Sequence, residues 1–172
     1  MPSAPSPEAL LITGPYGSGK SSLVVEIAER LEDRGLRYAA LDLDWLAWAD
    51  TGGDEWSEHR MLLKNLSAVT ANYRDAGVRF FVMARAFRDP AEMESLIAAL
   101  PMRWRMARLA VPADVIARRL RGDAMTGRHP ELQELTAQVS QSSLAGIEDR
   151  TVSNDRPVAE AADEILRWLD WH

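Results

Sequence analysis

Residues 14–21 read Gly-Pro-Tyr-Gly-Ser-Gly-Lys-Ser, which fits the pattern of a glycine, four variable residues, and then Gly-Lys-Ser or Gly-Lys-Thr. The apolar stretch Leu10–Ile12 comes just before it. After it, Leu23, Ile27 and Leu31 recur with the spacing of one helix face. At average residue frequencies a chain of this length contains the four fixed positions by chance about one time in a hundred. The pattern therefore predicts a strand, a glycine-rich loop that holds phosphate, and a helix.

The chemistry of this loop explains its residue types. Consecutive backbone N–H groups from Tyr16 to Ser22 can converge on phosphate oxygens at the positive end of the helix, and glycines leave the backbone open. Lys20 would reach the outer phosphates, and the Ser21 hydroxyl would bind magnesium. We therefore expect a nucleotide to be bound by Gly14, Tyr16, Gly17, Ser18, Gly19, Lys20, Ser21 and Ser22.

The rest of the chain alternates strand-like and helix-like segments. This alternation predicts a three-layer α/β/α fold with a parallel sheet of about five strands, and ligands at the carboxyl ends of those strands. We expect a tail over residues 1–8 and a single domain over 9–172. The predicted strands are 10–12, 38–43, 78–84, 106–111 and 150–153, and the predicted helices are 20–34, 58–76, 90–100, one opening at 112, one ending at 147, and 157–171.

Composition excludes several classes of function. A net charge of -6 without a lysine-rich stripe argues against a nucleic-acid partner. The absence of cysteine excludes thiolate catalysis, and three scattered histidines lack the spacing of a zinc site. Residues 1–8 are rich in proline and have neither a charged nor an apolar signal region, so we expect a disordered tail on a cytoplasmic protein that does not bind membranes.

Two carboxylates lie at the end of the second predicted strand. Alternation along a strand puts Asp42 and Asp44 on one side, facing the glycine-rich loop. One would bind a water of the magnesium shell, and the other would accept the proton of an attacking hydroxyl. The alternative is that they only cap the strand end and the following turn. The third strand ends in Met83-Ala84, without the aspartate that P-loop ATPases and GTPases use there.

The glycine-rich loop, this acidic pair and the arginine-rich segment 111–122 together resemble the P-loop small-molecule kinases. These include adenylylsulfate, shikimate and gluconate kinases, chloramphenicol phosphotransferase and the nucleoside monophosphate kinases. The resemblance spans nearly the whole chain, although only the loop is highly specific. It implies a P-loop fold with a lid near 118–130 and transfer of the γ-phosphoryl group of ATP, with Mg²⁺, to a small acceptor, expected at a hydroxyl. It also implies Asp42 for magnesium and Asp44 as base, an assignment that could be reversed.

The resemblance also assigns roles to residues late in the chain. Arg119 matches the lid arginine that stacks on adenine, and further arginines there clamp the transferring phosphoryl group. Asp123 stands where the second lid arginine is expected, which leaves Arg121 or Arg128 for that role. A solvated basic helix face is the alternative for this segment. The loop that wraps adenine corresponds to residues 152–158, where the candidates are Asn154 and Arg156; an ordinary turn explains them almost as well.

The acceptor is harder to predict. Leu43 and Trp45 stand where adenylylsulfate kinases have Gly and Asn, and no family's acceptor signature is complete. Aromatic and polar residues near the acidic pair would line a pocket, and arginines after the third strand, Arg85 and Arg88, would favour an anionic acceptor. The pocket candidates are Asp44, Trp45, Asn65, Asn72 and Arg85. Ordinary packing is the alternative for the tryptophans and for the helix that carries both asparagines.

Two other classes of function remain open at this point. A regulatory module would bind ATP as a structural ligand or slow switch and would need no acceptor. An ATPase would use Asp42 or Asp44 in place of the missing third-strand carboxylate and would turn over ATP alone. The tryptophans near the carboxyl end, Trp168 and Trp171, are compatible with a monomer or a homodimer, and packing of the last helix on the sheet explains them more simply.

Overall fold

A computed structural model describes residues 6–50, 52–87, 89–122 and 146–171. Its sheet has five parallel strands in the order β2-β3-β1-β4-β5. This confirms the α/β class and the parallel sheet expected from the sequence. The strands are β1 (Glu8–Thr13), β2 (Tyr38–Asp42), β3 (Phe80–Ala84), β4 (Arg103–Ala110) and β5 (Arg150–Ser153).

Helices connect the strands and cover both faces of the sheet. Two of them start at clear N-cap signals: the Asp54 carboxylate accepts from the Ser57 amide, and the Asp89 carboxylate accepts from the Glu92 amide. None of the helices in the described ranges is long and apolar enough to cross a membrane. The helices are α1 (Lys20–Asp33), α2 (Leu43–Ala47), α3 (Glu55–Asp75), α4 (Pro90–Ala99), α5 (Ala113–Gly122) and α6 (Val158–Leu169).

Alternation along the strands divides the core into two layers. Leu10 and Ile12 of β1 face the layer filled by α1 and α6. Ala9 and Leu11 face the opposite layer, which α3 and α4 fill. The indole of Trp171 is buried in the first layer, 4.9 Å from the ring of Phe80, so packing accounts for this tryptophan.

The structure corrects two predicted boundaries. β1 begins at Glu8, whose amide donates to the carbonyl of Arg79, so the expected tail over 1–8 is wrong at its last residue. β2 ends at Asp42, and the next residue starts α2. The argument that strand alternation aligns Asp42 with Asp44 was therefore wrong. An aspartate is a favoured N-cap residue, and Asp42 starts a helix here instead of extending the strand.

Because all strands are parallel, the residues that follow them meet at one edge of the sheet. The glycine-rich loop follows β1, Asp42 ends β2, Arg85 follows β3 and Asn154 follows β5. The expected lid over 118–130 is described only as far as Gly122, the last residue of α5, and its remainder lies outside the described residues. The predicted helix ending near 147 falls mostly outside them too.

Candidate active site

The glycine-rich loop runs from the end of β1 to the start of α1, and its backbone requires glycine. Gly14, Gly17 and Gly19 have φ values of 140°, 75° and 91°, which L-residues rarely adopt. A Cβ atom on Gly19 would lie 2.6 Å from the side-chain nitrogen of Asn154. The loop is thus packed closely against its neighbours. It leads into a helix whose first amides lack carbonyl partners within the helix, as anion binding requires.

Lys20 is the first residue of α1 and is only 8% exposed. Its ammonium donates to the carbonyl oxygens of Gly14 at 3.0 Å and Pro15 at 2.9 Å, so the side chain folds back onto the first residues of the loop. Burial lowers the pKa of Lys20 to about 8, although Asp44 and Asp42 partly oppose this shift. A phosphate group bound in the loop would give this buried ammonium an anionic partner in addition to the two carbonyls.

The other loop residues are placed as follows. Tyr16 is exposed, and the Ser18 hydroxyl is fully buried with no hydrogen-bond partner in the described part of the chain. Ser21 and Ser22 lie exposed in the first turn of α1. The predicted nucleotide-binding residues of this segment therefore all lie in the loop and in the first turn of α1.

Ser21 and Asp42 form the pair expected at a magnesium site. The Ser21 hydroxyl donates to Oδ2 of Asp42 at 2.7 Å, and Oδ1 accepts from the backbone amide of Asp44 at 3.2 Å. Hydroxyl and carboxylate oxygens are ligands that Mg²⁺ prefers. The described residues contain no cluster of three or more metal-ligating His, Cys, Asp or Glu side chains. The pair therefore suits an ion that takes its remaining ligands from phosphates and water, as Mg²⁺ does.

Asp44 lies in the first turn of α2 and is bound by Arg85, which directly follows β3. Nη1 of Arg85 donates to Oδ1 of Asp44 at 3.2 Å, and Nη2 donates to Oε1 of Glu92 at 3.0 Å. The Asp44 side chain is more than half exposed, whereas Arg85 is 7% exposed. Partial desolvation raises the pKa of Asp44, and the positive charge of Arg85 opposes that shift.

Glu92 and His59 extend this network and were missed by the sequence analysis. Oε1 of Glu92 lies 3.5 Å from Nδ1 of His59, and Nε2 of His59 lies 2.6 Å from the Ser95 hydroxyl. Both Glu92 and His59 are almost completely buried. The sequence Asp89-Pro90-Ala91-Glu92 matches a helix-capping box. A glutamate is common at this position of a helix start, so the sequence contained no sign that Glu92 belongs to the site.

Arg119 links α5 to the glycine-rich loop. Its guanidinium donates to the carbonyls of Ser18 at 3.1 Å and Asn154 at 2.6 Å. The Asn154 side chain, 3% exposed, donates to the same Ser18 carbonyl at 2.7 Å. The structure therefore brings Arg119 and Asn154 together under the loop. Arg156 instead binds the carboxylate of Glu164 in α6.

The side chain of Arg121 and the whole of Arg128 lie outside the described residues, as does Arg88. The choice between Arg121 and Arg128 as second lid arginine therefore stays a prediction. The same holds for the contribution of Arg88 to an acceptor pocket.

The other residues expected around the acceptor are Trp45, Asn65 and Asn72. Trp45 is 61% exposed, and its ring centroid lies 4.9 Å from that of Trp48, which is 74% exposed. Asn65 donates to the carbonyl of Leu46 at 2.8 Å, so it ties α3 to α2. Asn72 was wrongly expected in the pocket. It lies in the last turn of α3, at the opposite edge of the sheet, because this long helix returns the chain to the start of β3.

No protein-family model matches the sequence, and no curated protein matches it either. Solved structures do match. A sugar kinase from Janibacter sp. HTCC2649 is 18% identical, with a TM-score of 0.73 over 95% of each chain. A gluconokinase from Sinorhizobium meliloti 1021 is 18% identical, with a TM-score of 0.69 over 97% of this chain and 94% of that one.

An APS (adenylylsulfate) kinase from Mycobacterium tuberculosis, solved with AMPPNP and APS, is also similar. It is 22% identical, with a TM-score of 0.62 over 98% of this chain and all of that one. At these identities the similarity concerns the fold, and at that level it confirms the resemblance drawn from the sequence. The chain has the P-loop fold shared by the small-molecule kinases among its structural neighbours, in which its glycine-rich loop and acidic pair occupy the ligand edge of the sheet.

Proposed function

We propose that this protein is a kinase that transfers the γ-phosphoryl group of ATP, with Mg²⁺, to a hydroxyl group of a small molecule. One observation carries the proposal. The exposed Asp44 carboxylate, held by Arg85 and charge-coupled to Lys20, stands beside a phosphate-binding loop and beside the Ser21–Asp42 pair. A base, a phosphate site and a metal site at one sheet edge are the parts that phosphoryl transfer to a hydroxyl needs.

Each part has a defined task in the reaction. The acceptor oxygen forms a bond to the γ-phosphorus while the bond from that phosphorus to the β,γ-bridging oxygen breaks, and ADP leaves with the electron pair. The hydroxyl proton passes to the Asp44 carboxylate and then to water. Lys20 neutralises charge on the outer phosphates. Magnesium, which Ser21 and Asp42 would hold, supplies further charge neutralisation when bound.

The structural neighbours support this reading. Three of them are named as kinases of small molecules, and the APS kinase was solved with an ATP analogue and its acceptor. Their shared fold makes ATP the expected donor here and a small molecule the expected acceptor. We assign Asp42 the metal role because it pairs with the Ser21 hydroxyl, and Asp44 the base role because it pairs with Arg85 and not with Ser21.

The test is ADP release from MgATP, alone and with a panel of hydroxyl compounds. We expect release that depends on an acceptor, and an Asp44→Asn variant that binds ATP normally but loses this stimulation. Asp33→Asn, an exposed carboxylate at the end of α1, is the matched control. Steady release without an acceptor would indicate an ATPase instead. ATP binding with no release would indicate a regulatory module, and normal stimulation in Asp44→Asn would remove Asp44 from the mechanism.

A further inference from the structure

Helix α2 presents two kinds of side chain to two environments. Leu43 is fully buried and Leu46 packs against the core, so this face holds the helix on the sheet. The other side carries Asp44 and Trp45, and Trp48 follows as the C-cap residue; all three are exposed. Exposed indoles that adjoin each other are unusual on a protein surface, because each leaves a large apolar area in water. Here the pair begins at the residue directly after the proposed base.

Arg85, the cation that contacts Asp44, already has carboxylate partners within the protein. Both terminal nitrogens of Arg85 are engaged by carboxylates, one from Asp44 and one from Glu92. An acidic acceptor at Arg85 would compete with Asp44 for Nη1, which would weaken the contact that supports the base. Lys20 is directed to the loop carbonyls and the phosphate site. With both terminal nitrogens engaged, Arg85 is a weaker reason to expect an anionic acceptor.

Among the described residues, a negative acceptor would also meet two carboxylates. Asp42 and Asp44 lie beside each other, and MgATP bound at the loop would add further negative charge. A second carboxylate or a phosphate next to these two aspartates would add further repulsion. A neutral or positively charged group would not.

We infer that the acceptor is an uncharged alcohol that carries a ring, such as a nucleoside or a glycoside, and that the ring packs on Trp45 and Trp48 while its hydroxyl reaches Asp44. This inference rests on the kinase function proposed above. Indole faces bind flat bases and the apolar faces of sugars, and they require no charge on the ligand. Phosphoryl transfer then follows the bond changes already described, with the acceptor hydroxyl as nucleophile.

The experiment compares acceptors in matched pairs that differ in charge. Uridine, adenosine, thymidine and p-nitrophenyl glucoside are each assayed beside their 5′- or 6-monophosphates, and shikimate, gluconate and adenylylsulfate complete the anionic group. ADP release with MgATP is the readout. We expect at least one uncharged compound to stimulate release, with kcat/KM at least tenfold above that of its phosphorylated partner.

Two tryptophan variants and one control then test the tryptophan contact. With the stimulating compound, Trp48→Leu should raise KM about tenfold and change kcat little, because an exposed indole contributes binding and not chemistry. Tyr73→Leu removes an exposed aromatic ring from the far end of α3 and should leave both constants unchanged. An unchanged KM in the double variant Trp45→Leu/Trp48→Leu would overturn the role of the tryptophans.

The outcomes separate this inference from the function on which it rests. Stimulation by the anionic compounds alone would leave the kinase function standing and overturn the uncharged acceptor. Absence of stimulation by every uncharged ring compound would overturn it as well. ATP binding without stimulation by any compound of either group would count against both.

Discussion

The Arg85 guanidinium lies 3.2 Å from the Asp44 carboxylate, with Arg85 buried and most of the Asp44 side chain exposed. The second terminal nitrogen of Arg85 binds Glu92, which is also buried. An arginine that is held by a buried carboxylate can in turn hold a second, exposed carboxylate in one position. Under the proposed function Arg85 would position Asp44, whereas the sequence suggested a direct contact with the acceptor.

We expect Arg85→Gln to destabilise the fold strongly, because it leaves the Glu92 carboxylate buried without its guanidinium. Removing one partner of a buried ion pair costs about 3–5 kcal/mol. The matched control is Arg79→Gln, which breaks the ion pair with Glu8 in which the arginine is about half exposed and should cost less than about 1 kcal/mol. Urea denaturation gives both free energies of unfolding. Equal losses for the two variants would contradict the buried role of Arg85.

The pH dependence of catalysis should also report this contact. Asp44 must be ionised to accept a proton, so turnover should fall as the pH falls through its pKa, which lies above the ordinary value for aspartate. Arg85 favours the ionised form. In Arg85→Lys, whose ammonium forms a weaker and less directed pair, the acidic limb of the rate profile should move to higher pH. A limb that stays at the same pH would mean that Arg85 does not act on Asp44.

Lys20 predicts a second pH effect, on nucleotide affinity. Its free-state pKa of about 8 is low because the ammonium is buried, and bound phosphate favours the protonated form. ATP should therefore bind most tightly below pH 8 and progressively more weakly above it, by about tenfold at one pH unit above the pKa. Calorimetric titration from pH 7 to 9.5 measures this slope. Lys20→Ala should bind weakly throughout and show no such slope, and a wild-type affinity that does not change with pH would contradict the low pKa.

Ser21 predicts a dependence on magnesium. Ser21→Ala removes the hydroxyl that lies 2.7 Å from Asp42, so it should weaken binding of MgATP by about tenfold and leave binding of ATP without metal nearly unchanged. The comparison with and without Mg²⁺ in the same variant is its own control. Equal losses under both conditions would mean that Ser21 contacts phosphate and not the ion.

The sequence predicted most accurately what is encoded locally. The glycine-rich loop, its flanking strand and helix, and the alternation of elements follow from short-range patterns, and the sheet confirms them. The network around Arg85 was not predictable in this way, because Glu92 and His59 reach it from α4 and α3 through tertiary packing. Asn72 was misplaced for a related reason. Spacing of seven residues puts two asparagines on one helix face but does not say which end of the helix meets the site.

Two glycines provide a matched test of the packing beneath the loop. Gly19 and Gly35 both have positive φ, at 91° and 67°, so alanine at either position costs about 1 kcal/mol of backbone strain. A Cβ at Gly35 meets no atom within 4 Å, whereas a Cβ at Gly19 would lie 2.6 Å from the Asn154 side chain. Asn154 is buried and hydrogen-bonded to the Ser18 carbonyl, so it has little room to move.

We therefore expect Gly19→Ala to weaken ATP binding at least tenfold and to lower the free energy of unfolding further than Gly35→Ala, which should leave ATP affinity unchanged. The Asn154→Ala background tests the cause. Truncating this side chain removes the clash, so the effects of Gly19→Ala and Asn154→Ala should not add, as is usual for residues in contact. Calorimetry and urea denaturation on the four proteins of the cycle measure the coupling. Fully additive losses would show that backbone strain alone, and not contact with Asn154, is the reason for glycine at position 19.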